Sequence, residues 1–224
     1  RPKGPEYFPF PFLDFYLGNA KLNRLDDDAD VYFKNYIREF KGDNYKKEAH
    51  RKLSWFYLLK GNNSQYNYHV QMAALDGDAV TDEDKAAEKE AKSGVKPHKD
   101  LLKARLLFDG AYYDKALAVL NAVSLSDLLS EELTVEYHYR KARILDEMGK
   151  KSSAKVAYVS AIEKGEHLDY YYSPNACVKL GNIYEKEGDK KNATIYYKKA
   201  LTFNNHDYKN SIDAEAKAGL NRIN

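Results

Sequence analysis

Small and large apolar residues alternate along residues 175–205 with a helical period that breaks once and then resumes. Leu180 and Gly181 are followed by Tyr184, then by Gly188 and Asp189, then by Ala193, Tyr197 and Ala200. Apolar residues three and four apart form one stripe on a helix, so the stretch predicts two short helices joined at Gly188. Two helices pack closely only where small residues sit at the crossing and large ones fill the gaps. Gly181, Ala193 and Ala200 are the small residues; Tyr184 and Tyr197 are the large ones. Gly188 stands where a tight turn needs positive φ, which glycine adopts at little cost.

The pattern recurs upstream. In residues 137–165, Ala142 stands at the crossing position, followed by Leu145, Gly149, Ala154, Tyr158 and Ala161. One unit earlier Ala104, Leu107, Tyr113, Ala116 and Leu120 fit, with Gly110 one residue early. Ala116, Ala154 and Ala193 are 38 and 39 residues apart. The first third fits less well. Leu53, Ser54, Tyr57, Gly61 and Ala73 hold pattern positions, but Tyr66 stands where an alanine is expected. Leu17 and Gly18 open another unit, whose Ala29 and Phe33 arrive one residue too soon and call for a shorter turn. These spacings resemble the tetratricopeptide repeat (TPR), a helical hairpin of about 34 residues marked by W-x2-L-G-x2-Y and A-x3-F. The resemblance covers about residues 12–205. It implies an all-α fold, a right-handed TPR superhelix (α-solenoid) of antiparallel helix pairs.

The expected organisation follows. Residues 1–11 form an extended strap rich in proline and aromatics, 12–77 two degenerate hairpins, 78–96 a polar insert, 97–206 three repeats, and 207–224 a capping helix. In the strap, Pro2, Pro5, Pro9 and Pro11 oppose helix, while Tyr7, Phe8, Phe10 and Phe12 are too apolar for a solvated tail. They are expected to lie across the first helices or to meet a preceding part of the protein. No charged-then-apolar leader opens the sequence, and RPKGPEYFPFPF reads as a stretch from inside a longer chain. In the insert, Thr81 and Asp84 make a helix start, acids precede lysines as the helix dipole favours, and Gly94 and Pro97 stop the helix. A short exposed helix is expected at about 82–93, its charges a solvated face; a mobile linker is the rival reading. Ile212, Ala216, Leu220 and Ile223 form the stripe of the capping helix, with Asp213, Glu215, Lys217 and Arg222 on its outer face.

The wider chain is similar to the C-terminal portion of larger exported bacterial TPR proteins. The similar stretches are FLDFYLGNAKLNRLDDDADVY, KGDNYKKEAHRKLSW, TDEDKAAEKEAK, LLKARLLFDGAYYDKAL and HDYKNSIDAEAKAGL. That resemblance implies a periplasmic or envelope location and further helices upstream.

Charge and chemistry narrow the function. With 36 basic and 34 acidic residues the net charge is +2, which gives no electrostatic case for nucleic acid. No apolar run is long enough for a spanning helix. The 20 tyrosines suit helix packing, since the ring fills a gap while the hydroxyl reaches water. Cys177 is the one cysteine and falls on the apolar side of its helix, where it reads as a buried, inert thiol. The six histidines are scattered, and neither an HExxH motif nor an EF-hand loop occurs. No phosphate loop or nucleophile elbow is present. No cofactor, metal or catalytic residue is assigned, and the reading is not an enzyme.

What remains is surface recognition. In TPR arrays the first helix of each repeat lines the concave side. Carried over to this chain, the inward positions are Leu101, Arg105 and Phe108, then Tyr139, Arg143 and Asp146, then Val178, Asn182 and Glu185. Arg105 and Arg143 beside Phe108 and Tyr139 suit a carboxylate or a peptide backbone, with the rings taking apolar side chains. The bland alternative is that both arginines pair with acids such as Asp109, Asp146 and Glu147. The clamp that grips chaperone C-termini needs lysine where this chain has Leu101, Tyr139 or Val178, so that ligand is not expected. The resemblance thus implies a scaffold binding a peptide or helical segment of another protein in its concave groove. The alternative is an assembly subunit that uses the solenoid edge or the N-terminal strap for permanent contacts.

Overall fold

The computed structural model describes residues 10–223. Among these the chain is all-α, without a strand, and its consecutive helices form the pairs of an α-solenoid. It divides into two compact units, Arg1–Tyr112 and Tyr113–Asn224, each with its own hydrophobic core.

The first unit holds α1 (Pro11–Arg24), α2 (Ala29–Glu39), α3 (Lys46–Leu59), α4 (Asn63–Leu75), α5 (Asp82–Ser93) and α6 (Lys99–Asp109). Pro11 opens α1, at a position where a missing N–H costs nothing. Helix α1 pairs with α2, and α3 with α4; α5 lies on both α3 and α4, and α6 on α1 and α3. The core is aromatic, built from Phe15, Phe33, Tyr36, Trp55, Phe56 and Tyr66 with Leu22, Leu53 and Leu58. At the first crossing, a methyl added to Gly18 would stand 3.0 Å from the Phe33 ring. The shortening expected in this hairpin falls after the turn. Leu25 takes the left-handed turn position, and α2 then begins at Ala29 itself. Tyr7 and Phe8 of the strap lie outside the described residues. Phe12 belongs to α1 and packs edge-on against Phe40, 4.9 Å between centroids, while Phe10 stays exposed.

Helix α5 is more than a solvated appendage. Thr81 and Asp84 form a capping box at its start, but Asp84 also accepts hydrogen bonds from the backbone N–H groups of Tyr45 (2.7 Å) and Glu48 (3.1 Å). One buried carboxylate therefore caps two helices, its own and α3. Ala87 is fully buried beside it, and Glu90 accepts a 2.7 Å bond from the Trp55 indole. The charge run hides a packed face because Asp84 and Glu90 accept from donors on α3 and its N-cap while Ala87 is buried between them, a pairing invisible in local sequence.

The second unit holds α7 (Tyr113–Asn121), a 3₁₀ turn at Leu125–Asp127, α8 (Glu131–Glu147), α9 (Lys151–Gly165), α10 (Tyr172–Lys186), α11 (Lys190–Ala200) and α12 (Lys209–Ile223). Helix α8 pairs with α9 and α10 with α11; α9 also meets α10, and α12 covers α10 and α11. Ala142, Ala154, Ala161, Ala193 and Ala200 are wholly buried at the contacts. The unit boundary lies between α6 and α7, the helices that the sequence pairs as the first of its three later repeats. Gly149 and Gly188 take the left-handed turn positions, at φ +74° and +79°. In the unit before, Gly110 has an ordinary φ of −88° and Ala111 holds the left-handed position at +62°. That is why Gly110 looked one residue early.

Candidate interaction surface

The residues expected to line a groove fall into two kinds, buried and half-exposed. On α6, Leu101 is buried. Arg105 lies with its guanidinium 4.7 Å from the centre of the Trp55 ring and its Nε 3.9 Å from Asp109. Phe108 is half-buried. Trp55 is a hub that sequence reasoning missed. Arg51 and Lys52 also stand over it, at 5.0 and 4.4 Å. Cation–π contact of this kind is worth roughly 0.5–2 kcal/mol, depending on desolvation. Glu48 balances the cations, pairing with both Arg51 and Lys52. Burial pushes the Lys52 ammonium below its usual range, against the pull of Glu48. The signal in the sequence was the lone tryptophan three and four residues after two cations, which places all three on one helix face. Beside this hub a cleft of about 320 Å³ opens among α3, α4 and α5, lined by Arg51, Tyr66, Val70, Glu90 and Lys96.

In the second unit, Tyr139 of α8 is buried, its hydroxyl donating to Asn175 Oδ1 at 2.9 Å and its ring against Tyr171 and Tyr172. Burial raises its hydroxyl pKa well above the usual value. Arg143 sits one turn on, half-exposed, 5.9 Å from the Tyr139 ring centre. Asp146 accepts from Lys151 and from the Tyr158 hydroxyl. Val178 of α10 is fully buried. Asn182 donates to Glu215 at 2.9 Å and accepts from the Tyr197 hydroxyl at 2.6 Å. Glu185 takes Arg222 through both carboxylate oxygens, at 2.7 and 2.8 Å, and also accepts from Tyr197. The Arg222 bonds hold its carboxyl down to about 2. Glu215 and Arg222, expected on the outer face of the capping helix, reach back to α10 instead. A polar residue on a helix edge can bond sideways to its neighbour, which helical spacing alone does not reveal.

Two hairpins of this unit, α8 with α9 and α10 with α11, thus repeat one architecture: small residues at the crossing, a buried tyrosine, a turn glycine. Residues 135–163 and 174–207 match the tetratricopeptide-repeat family model. No curated protein matches the chain. The matched repeats cover both hairpins, so Arg143 and Asp146 lie on the first helix of one repeat, and Asn182 and Glu185 on the first helix of the next. The fold these repeats build is typically a non-catalytic scaffold. Cys177 lies on the inner side of the second matched repeat, its thiol pushed up to about 12 by burial, which leaves it without nucleophilic character at neutral pH. Among the described residues, no three His, Cys, Asp or Glu side chains converge as a metal ion requires. No described helix is long and apolar enough to cross a membrane.

Proposed function

We propose that this chain is a scaffold that holds a peptide or helical segment of another protein on the first helices of its repeats. The observation that carries the reading is the pair of matched repeats, since tetratricopeptide repeats generally mediate protein–protein interactions. The side chains divide the work. Leu101, Tyr139 and Val178 are buried and shape the surface from beneath. Asn182 and Glu185 are engaged by α12, which leaves them as a fixed polar edge. Arg143, half-exposed over an aromatic ring, is the contact suited to a carboxylate or backbone carbonyl on the second unit. Arg105, with Phe108 beside it, plays the same part on the first unit. Asp146 is bound to Lys151 and sets the local charge balance. A guanidinium held over a ring has lost part of its rotamer freedom already, so binding costs less entropy.

The test is affinity purification of the intact chain with quantitative mass spectrometry, comparing wild type with the double variant Arg105→Ala, Arg143→Ala. Tyr139 is left in place because truncating a buried ring unfolds its surroundings. The variant, folded by circular dichroism, is expected to lose the co-purifying proteins. An unchanged set would remove both arginines from the binding surface. The assembly reading draws on Leu125 and Leu129 in the α7–α8 connection, 51% and 90% exposed. A concentration-independent dimer or larger species in light scattering would favour it over the scaffold.

A further inference from the structure

Helices α3 and α4 meet across two imidazoles. His50 of α3 and His69 of α4 are both buried, and their Nδ1 atoms lie 3.0 Å apart. Two ring nitrogens at this distance hold one proton between them, one donating and the other accepting. The remaining nitrogen of His50, Nε2, lies 3.1 Å from Oδ2 of Asp76, the residue that ends α4. Neutral rings satisfy the chain in one arrangement: Nε2–H of His50 donates to Asp76, and Nδ1–H of His69 donates to Nδ1 of His50. The ring of His69 also stacks parallel on Tyr57 at 5.5 Å and meets Tyr68 edge-on at 4.9 Å.

Protons added to this chain are not equivalent. A first proton can rest on His50, between Asp76 and a His69 that has moved its own proton to Nε2. The ion pair with Asp76 supports that state. A second proton leaves two imidazoliums aiming N–H at N–H across the same gap, with no acceptor between them. The surroundings do not relieve it. Lys46 and Lys47 on α3 face His50, and Lys34 on α2 faces His69; all three oppose protonation. Asp76 and, more distantly, Asp30 of α2 favour it. From α5, Glu88 approaches Lys47 and offsets part of that lysine's charge.

We propose that the His50–His69 pair is an acid-operated latch, holding α4 on α3 while neutral and releasing it when both rings are protonated. Helix α4 is the partner that moves because its anchorage is slight: its buried residues are Tyr66, His69 and Ala73, whereas α3 buries ten. Burial holds both imidazoles below their ordinary range, His69 at about 4. In the unfolded chain each histidine titrates near 6.5. The stability that the neutral pair contributes is therefore complete above that pH and is lost as pH falls from there toward about 4.

The test is hydrogen–deuterium exchange of the full chain at about pH 7 and about pH 4.5, corrected for the intrinsic rate, beside the variant His69→Phe, which keeps the stacking and cannot be charged. In wild type the amides of residues 63–75 are expected to lose at least about 10-fold protection on acidification, and in the variant less than about 2-fold. The same loss in both proteins, or none in either, overturns the latch. Should the variant not fold, titration of the two rings in wild type by NMR decides alone. Both starting to charge only well below 6.5, as a pair, upholds the proposal; two independent titrations at the ordinary value overturn it.

Discussion

At the residue scale, Tyr197 sets the tolerance of the second unit. A methyl on Gly181 would come 2.6 Å from its ring, and one on Gly219 2.4 Å. Neither glycine needs positive φ; both are required because α10 and α12 press on the same ring. Gly181→Ala is expected to destabilise by about 1–3 kcal/mol, the range for overpacking a tight core, read as a lower urea midpoint. Ala111 presents the opposite case. It is exposed, holds φ +62°, and occupies the turn position that Gly149 and Gly188 fill in the later hairpins. A left-handed alanine costs about 1–2 kcal/mol, and glycine's greater unfolded entropy returns about half of that. Ala111→Gly is expected to stabilise by about 0.5–1 kcal/mol, measured in the same denaturation series.

At the element scale, α5 stands out because its first turn serves another helix. Tyr45, at the N-cap of α3, has φ +60° and no side-chain bond to its own helix, so the first turn of α3 depends on Asp84. Replacing Asp84 with alanine strands the N–H groups of Tyr45 and Glu48 and removes one half of the α5 capping box, leaving Thr81 Oγ1 on the backbone N–H of residue 84. The expected cost is about 2–3 kcal/mol. Exchange of the amides at 45–48 and 81–85 should accelerate together; if only 81–85 respond, the carboxylate caps α5 alone. The ends of α5 were legible in the sequence through Thr81, Asp84 and Gly94. Its buried face was not, since Asp84 and Glu90 look like solvated charges until Tyr45, Glu48 and Trp55 are brought beside them.

At the scale of the whole molecule, the chain carries two cores, one drawn from residues 15–106 and one from 135–223. Helices α8 to α12 build the second core, and α12 packs on α10 and α11 with Ile212, Ala216 and Ile223 buried. Residues 113–224 expressed alone are therefore expected to give a helical circular-dichroism spectrum and one cooperative melt. A broad, non-cooperative loss of signal would show that this core is insufficient by itself. A repeat array tolerates such division because its contacts are between neighbours in sequence.

The sequence by itself determined the all-α class, the hairpins at 137–165 and 175–205, the small residues at their crossings and the turn glycines. These depend on contacts within about 40 residues and on local φ, both written in short-range spacing. Only the tertiary structure decided what the polar side chains do. It turned Glu215 and Arg222 back onto α10, set Arg51, Lys52 and Arg105 around Trp55, and brought His50 to His69. Spacing specifies which face of a helix a residue occupies, but a hydrogen bond or ion pair needs a partner at about 3 Å. That partner comes from another helix, whose approach is fixed only when the cores pack.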